Sequence, residues 1–277
     1  MTDFASAYGS RMMAALRVAG FLTLVVVLTP VHIVYRVLRP EDKFRLPQFF
    51  HRLLIALLGF RVRAHGTVAS ASPVLFVANH ASYLDILVLA TLIPAAFVAK
   101  SEVANWPLIG FLAKLQNTVF IERRAAKAHH QKSVLHEKLA AGQSLIVFPE
   151  GTSTEGLGAL PFKSSLFSVI EDNAKLTVQP ISITCTELDG IPMTRELRSF
   201  YSWYGDMTLL PHLWNVFKLG GFTLDVVFHS PVTANNFADR KELARYCHQQ
   251  VARGIEQCLK GRNLSLPGEM LQLPVLA

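Results

Sequence analysis

The apolar run Val74-Leu75-Phe76-Val77-Ala78, followed at once by Asn79-His80-Ala81-Ser82-Tyr83-Leu84-Asp85, constrains this chain more than any other stretch. A short continuous apolar run bounded by polar residues reads as a strand buried on both faces, and such strands sit in sheets covered by helices. His80 and Asp85 then stand five residues apart at its carboxyl end. Positions i and i+5 do not share a face of a regular helix, so the two side chains meet only if His80 lies in the strand-to-helix turn and Asp85 in the first helical turn. Imidazole has the proton affinity that suits general-base chemistry near neutral pH, and a neighbouring carboxylate fixes its tautomer. The same residues admit a second reading. Ser82-Tyr83-Leu84-Asp85 has the S-x-x-D form of a helix N-terminus, with Ser82 as cap and Asp85 satisfying backbone N–H groups.

Three further runs show related organisation. Ser144 to Phe148 ends in Pro149-Glu150-Gly151-Thr152-Ser153, Thr118 to Ile121 ends in Glu122-Arg123-Arg124, and Leu176 to Ile183 carries Pro180 within a strand-like pattern. Three of the four strands thus deliver polar residues at their carboxyl ends, where open α/β sheets place ligands. The set resembles the four acyltransferase blocks of the glycerolipid acyltransferase family, especially bacterial 1-acylglycerol-3-phosphate acyltransferases. Asn79, His80 and Asp85 match the N-H-x4-D signature, and Phe120, Ile121, Glu122 and Arg123 match the F-I-x-R block. Phe148 through Thr152 match F-P-E-G-T, and Val178, Pro180 and Ile181 match the V-x-P-I type. Order and spacing agree from about Val74 to Thr184, and a four-part match is far more specific than any one block. One position departs. Many members continue the third block with arginine where this chain has Ser153, which moves the expected anion contacts to Arg123, Arg124, Lys100 and Lys163.

The resemblance implies an α/β fold of the glycerol-3-phosphate acyltransferase-like type, with a central sheet flanked by helices. It implies transfer of a fatty acyl chain from acyl-CoA or acyl-carrier protein to the free hydroxyl of 1-acylglycerol-3-phosphate (lysophosphatidic acid), giving phosphatidic acid. Another lyso-lipid acceptor, such as lyso-ornithine lipid, is the nearer alternative. A catalytically silent lipid-binding relative is the farther one, and intact His80 and Asp85 argue against it. In this reading His80 is the base and Asp85 orients it, while Asn79, Ser82, Phe120, Glu150, Gly151 and Thr152 contact substrate. Arg123 holds the acceptor's phosphate and Lys100 donates to the developing oxyanion or a phosphate. No metal or prosthetic group is expected. The implied setting is the cytoplasmic face of a bacterial inner membrane, with membrane lipids as partners.

Composition agrees with work at a membrane. The chain is 51% hydrophobic and only 17% charged, with a formal charge of +7 and a pI near 9.5. That balance suits anionic headgroups and anionic substrates. Nucleic acid is disfavoured as a partner, because the basic residues are dispersed among apolar stretches and no recognised binding motif occurs. Cys185, Cys247 and Cys258 are far apart and form no C-x-x-C pair, which argues against a disulfide scaffold or structural zinc site.

Val18 to Tyr35 contains no Asp, Glu, Lys or Arg, close to the lower limit of about 17–25 residues for a membrane-spanning helix. Pro30 predicts a kink, and basic residues on both sides blunt the positive-inside rule. Leu46 to Phe60 follows with apolar residues at helical spacing. The pair is expected to dip into or lie on one leaflet, with a simple span as the alternative. Two units result, an N-terminal membrane-associating helical pair over 1–60 and an α/β domain over 61–277.

Within the second unit, Val62–His65, Phe97–Lys100 and Thr223–Phe228 read as strands. Helices are expected from Ser82 through Leu92, from Ser101 toward Leu115, over Ala125–Ala141 ending at Gly142, and over Ala238–Lys260, with a loose tail from Gly261. His129, His130 and His136 do not complete an H-E-x-x-H pattern and read as solvated helix residues. Ser153 lacks the G-x-S-x-G elbow of a nucleophile. Tyr204-Gly205-Asp206-Met207 reads as a turn with a capping Asp.

Overall fold

A computed structural model describes residues 9–122, 128–261 and 271–272. Helix α1 (Arg11–Leu38) begins at Ser10, whose hydroxyl accepts from Met13 N–H at 3.2 Å, and runs unbroken through Pro30. It is one helix long and apolar enough to cross a membrane. Leu22, Val26, Val27, Val31, Val34 and Val37 are exposed along it, far more apolar surface than water favours. Helix α2 (Arg45–Leu57) packs on α1 and buries Leu54 and Ile55 in the same core as the sheet.

Polar contacts tie the pair to the rest of the chain. Arg17, buried on α1, donates Nε to the Leu57 carbonyl at 3.1 Å and Nη1 to the carbonyls of Phe217 (3.3 Å) and Leu219. These carbonyls lie at the ends of two helices, where unpaired acceptors and the negative end of the dipole favour a cation. Further along, His32 Nε2 meets the Leu115 carbonyl (3.0 Å), His51 Nε2 meets Gln116 Oε1 (2.7 Å), and Arg36 donates to Asn117 Oδ1 (2.9 Å).

The α/β domain is built on one mixed sheet. Its strands are β1 (Arg61–His65), β2 (Val74–Ala78), β3 (Ala96–Lys100), β4 (Val119–Ile121), β5 (Leu145–Val147), β6 (Thr177–Leu188), β7 (Ile191–Pro192), β8 (Phe222–Phe228), β9 (Val232–Thr233) and β10 (Leu271–Gln272). The order is β10-β1-β8-β6-β2-β5-β3-β4, with β7 and β9 paired to β6. From β6 to β4 all neighbours are parallel, whereas β8 runs antiparallel to β6. Buried on both sides, β2 sends Val74, Phe76 and Ala78 to one core and Leu75 and Val77 to the other. Helices α1, α2, α3 (Leu84–Leu92) and α7 (Leu209–Lys218) cover the first face; α5 (Ala128–Ala140), a 3-10 helix (Ser164–Asp172) and α8 (Arg240–Leu259) cover the second. Between them in the chain lie α4 (Ile109–Leu115) and the short α6 (Arg198–Tyr201).

Two expectations change here. The helix from Ser101 toward Leu115 is broken into a 3-10 turn (Ser101–Asn105) and α4. Pro107 has no N–H to continue the first piece, and Leu108 takes φ 59° at the corner. In the turn Tyr204–Met207 the Asp is not a cap: Thr208 precedes α7, and Asp206 is exposed. The polar helix α5 does end at Gly142, with φ +75° and the paired bonds Gly142 N–H to Leu139 and Gln143 N–H to Lys138 that close a left-handed C-cap. The expected start of that helix, and most of the tail, lie outside the described residues.

Candidate active site

His80 follows β2 directly and Asp85 opens α3, the only arrangement in which an i, i+5 pair can meet. His80 Nδ1 lies 2.9 Å from Asp85 Oδ2. An ionised carboxylate only accepts, so Nδ1 carries the proton and Nε2 is the basic nitrogen. Asp85 is fully buried, and its Oδ2 also accepts from the backbone N–H groups of Ala81 (2.8 Å) and Ser82 (2.9 Å). The carboxylate that orients the imidazole also ties down the turn leading into α3, although the cap position falls on Tyr83, which makes no side-chain capping bond, and not on Ser82 as expected. Asp85 Oδ1 receives a fourth bond, from the hydroxyl of Tyr201 at 2.6 Å. Tyr201 is buried, which pushes its phenol well above the usual range and keeps it a donor. One face of the imidazole is covered by Phe148, stacked with ring centroids 4.1 Å apart and planes at 18°.

The Pro149–Thr154 loop closes over this dyad. Glu150 Oε1 accepts from His80 N–H at 2.8 Å and Oε2 from Leu160 N–H at 3.0 Å. Burial outweighs those bonds and raises the Glu150 carboxyl to about 7. Gly151 adopts φ +78°, a left-handed conformation that glycine takes without Cβ strain. Thr154 N–H returns to the His80 carbonyl at 3.0 Å.

A cavity of about 510 Å³ opens between the helical pair and the sheet. Its walls include His80, Lys100, Gly151, Thr152 and Ser153 together with Phe21, Leu28, Phe50 and Leu213. A largely apolar cavity with a few polar groups on its wall is the form expected of a ligand site.

The other expected contacts are distributed differently. Asn79 is buried and brackets β6, donating to the Ile183 carbonyl and accepting from Ile183 N–H, both at 2.8 Å. Ser82 is buried, its hydroxyl accepting from Leu84 N–H at 3.3 Å. Asn79, Ser82 and Glu150 are thus supports of the His80 turn rather than cavity wall, because their polar atoms are spent on backbone partners. Phe120 is half-buried on β4 and is not part of the cavity lining. Arg123 and Arg124 lie outside the described residues. Ser153, set aside as a nucleophile, donates its hydroxyl to the Trp203 carbonyl. Among the described residues no group of three or more His, Cys, Asp or Glu side chains could hold a metal ion.

Residues 60–184 match the model of the acyltransferase family. The lyso-ornithine lipid O-acyltransferase of Brucella abortus (strain 2308) is 39% identical over 89% of this chain and 95% of its own length. This chain belongs to the acyltransferase family. A second lyso-ornithine lipid O-acyltransferase, from Rhizobium meliloti (strain 1021), is 39% identical over 86% of this acyltransferase and 84% of its own length. The 1-acyl-sn-glycerol-3-phosphate acyltransferase of Neisseria meningitidis serogroup B (strain ATCC BAA-335 / MC58) is 33% identical over 74% and 78%. In fold, the acyltransferase is similar to the crystal structure of the 1-acyl-sn-glycerophosphate (LPA) acyltransferase PlsC from Thermotoga maritima, with a TM-score of 0.66, 22% identity and coverage of 91% and 97%.

Tyr201 and Trp203 were not found by sequence reasoning. Both stand beyond the matched region, in a stretch with no recognisable motif, and no local signal links Tyr201 to a carboxylate 116 residues earlier.

Proposed function

We propose that this acyltransferase esterifies the free hydroxyl of a lyso-ornithine lipid with a fatty acyl chain from an acyl thioester, carried on CoA or acyl-carrier protein. The observation that carries the chemistry is the His80–Asp85 pair on the wall of an apolar cavity. His80 Nε2 takes the hydroxyl proton as the oxygen attacks the thioester carbonyl, and Asp85 stabilises the imidazolium that forms. Collapse of the tetrahedral intermediate breaks the C–S bond, and the imidazolium returns its proton to the leaving thiolate. Lys100 on the cavity wall is the candidate donor to the oxyanion, and Gly151 and Thr152 shape the loop that seats the acceptor. The chain's own residues complete the cycle without a metal or prosthetic group.

Two relatives at 39% identity across most of the chain support the lyso-ornithine acceptor. So does Ser153, a neutral residue whose hydroxyl is already engaged and offers no charge to a phosphate. The second reading, 1-acylglycerol-3-phosphate as acceptor, is favoured by Lys100 on the wall and by the Neisseria relative. Helices α1 and α2 would seat the site in the cytoplasmic leaflet, where both lipid substrates reside.

The test is purified protein in mixed micelles with labelled acyl-CoA or acyl-carrier protein and each lyso-lipid in turn, product read by chromatography. Lyso-ornithine lipid should give the higher kcat/KM, and a preference for lysophosphatidic acid would reverse the assignment. His80→Ala should lose about 100- to 10,000-fold in turnover while remaining folded, and a loss below about tenfold would remove His80 as the base.

A further inference from the structure

Two helices of the α/β domain carry apolar side chains on the outside of the molecule. On α7, Leu210 is 75% exposed and Trp214 42%; on α4 and at its start, Phe111 is 47% exposed and Leu108 40%. None of the four lines the cavity, but each sits beside residues that do. Leu209 and Leu213 face the cavity from α7, and Leu210 and Trp214 repeat that i, i+4 spacing one position, or about 100°, further round the helix. On α4, Ile109 and Leu112 line it in the same way. Residues 106–113 and 207–217 contain no Asp, Glu, Lys or Arg, so no charge interrupts either stretch.

Both helices are joined to α1. The end of α7 meets the start of α1, where Ser10 N–H donates to the Lys218 carbonyl at 2.9 Å and Arg17 donates to the carbonyls of Phe217 and Leu219. The end of α4 meets the later half of α1, through His32 with Leu115 and Arg36 with Asn117. The leading ends of α4 and α7 converge, with Trp106 and Trp203 edge-on at 6.4 Å. Arg17 and His32 stand about 22 Å apart along α1, and the 10 residues of α7 and 7 of α4 reach about 15 and 10 Å. The three helices thus close a triangle. Residues of all three line the cavity, with Phe21 and Leu28 on the α1 side. That side belongs to the one described helix long and apolar enough to cross a membrane, and Val26 and Val31 are exposed on it. The apolar surface of α4 and α7 therefore continues that of α1 around the cavity, and a continuous patch of this kind marks an interaction site.

We propose that α4 and α7 form a lipid-contacting collar of the α/β domain itself, with Leu108, Phe111, Leu210 and Trp214 seated in the outer acyl region of a lipid leaflet. The inference rests on the lysolipid reading above and deepens it: the collar opens the cavity to the bilayer, and the lysolipid enters without its chain crossing water. Charge-free amphipathic helices with leucine and aromatic residues outward are the chemistry of interfacial contact, and tryptophan favours the level of the headgroups. Each charge-free stretch is followed by a lysine at the end joined to α1, Lys114 on α4 and Lys218 on α7, the residue type that keeps its ammonium among the headgroups while its stem covers apolar surface.

The test places a polarity-sensitive thiol dye at Leu210→Cys and, separately, at Phe111→Cys in the full-length protein. The three native cysteines are buried, which directs the dye to the new one. In vesicles of phosphatidylcholine and phosphatidylglycerol the emission should shift to the blue, and lipids spin-labelled on their acyl chains should quench it. Emission typical of water would overturn the proposal. So would a blue shift without quenching, which would mean a protein neighbour such as a second copy of the chain. The second arm is activity of Phe111→Glu/Leu210→Glu. Its kcat/KM on vesicle-embedded lysolipid should fall about tenfold or more, since a charge replaces each apolar contact. On a short-chain, water-soluble lysolipid it should stay within about twofold of wild type, because neither residue lines the cavity. Equal losses on both substrates would overturn the collar. Should the charged variant fail to fold, the dye positions alone decide. The dye's answer does not depend on which lysolipid is the acceptor, so failure of the acceptor reading shows in the wild-type assay and failure of the collar in the emission.

Discussion

Tyr201→Phe isolates one bond in the site. The phenol donates to Asp85 Oδ1 at 2.6 Å, while His80, Ala81 and Ser82 all converge on Oδ2. Removing the hydroxyl therefore leaves one oxygen of a fully buried carboxylate without that partner, yet the ring keeps its edge contact with Phe222 at 5.5 Å. A hydrogen bond to a charged group contributes about 1.5–3 kcal/mol. At 1.36 kcal/mol per decade, full transmission to the transition state corresponds to about 10- to 150-fold in turnover. The acceptor's KM should change little, because Tyr201 touches Asp85 and acts only through it. Steady-state kinetics with labelled acyl donor would read this, alongside thermal melting, where a fall of a few degrees is expected for one unpaired buried oxygen. The decisive control is the same substitution in an Asp85→Asn background, where it should cost almost nothing further. Independent, multiplicative losses would refute the reasoning, and so would a lowered melting point with unchanged turnover.

Three other outcomes follow from the same structure. The Glu150 carboxyl is raised to about 7 from 4.5 by burial, so the folded state holds its proton more tightly than the unfolded chain. Its contribution to stability is complete below about pH 4.5 and is lost as pH rises through about 7, by at most about 3 kcal/mol. Denaturation at pH 5 and pH 8 should show wild type losing stability relative to Glu150→Gln, and an unchanged gap would reject the assignment. Arg17→Met removes three bonds to helix-end carbonyls and should loosen the helical pair by about 3 kcal/mol or more. Limited proteolysis should then cut between α2 and β1 while the protein stays with membranes; undiminished protection would count against the Arg17 anchor. Removing residues 1–60 should release much of the protein from membranes and abolish turnover, because Phe21, Leu28 and Phe50 form one wall of the cavity. Full turnover by the truncated chain would show that this wall is dispensable.

Much of this architecture was legible locally. The strand at Val74–Ala78, the turn at His80 and the helix starting near Asp85 follow from a buried run meeting a polar break, and in the structure Asp85 touches both the imidazole and the backbone N–H groups of the turn. Periodicity and turn chemistry act over a few residues, which is why the main strands and the Gly142 helix end are legible in the sequence. The Ser101–Leu115 stretch breaks at Pro107, a local signal that the sequence itself carries. The N-terminal helix extends beyond the charge-free segment Val18–Tyr35, since Arg11 and Arg17 look like flanks in sequence. In the folded chain Arg17 is buried within α1, because carbonyls 40 and 202 residues away neutralise the cost of its charge.

What only the tertiary structure decided is the division of labour around His80. Sequence placed Asn79, Ser82, Glu150, Gly151 and Thr152 in one functional set, whereas packing turned the first three inward onto backbone groups and left the last two on the cavity wall. It also brought Tyr201 to Asp85 and Trp203 to Ala81, across more than a hundred residues of chain. The physical reason is the range of the forces involved. Hydrophobic pattern and backbone sterics write secondary structure within a short window of sequence. A hydrogen bond between distant residues exists only once the sheet order has set which strand ends and loops share a corner.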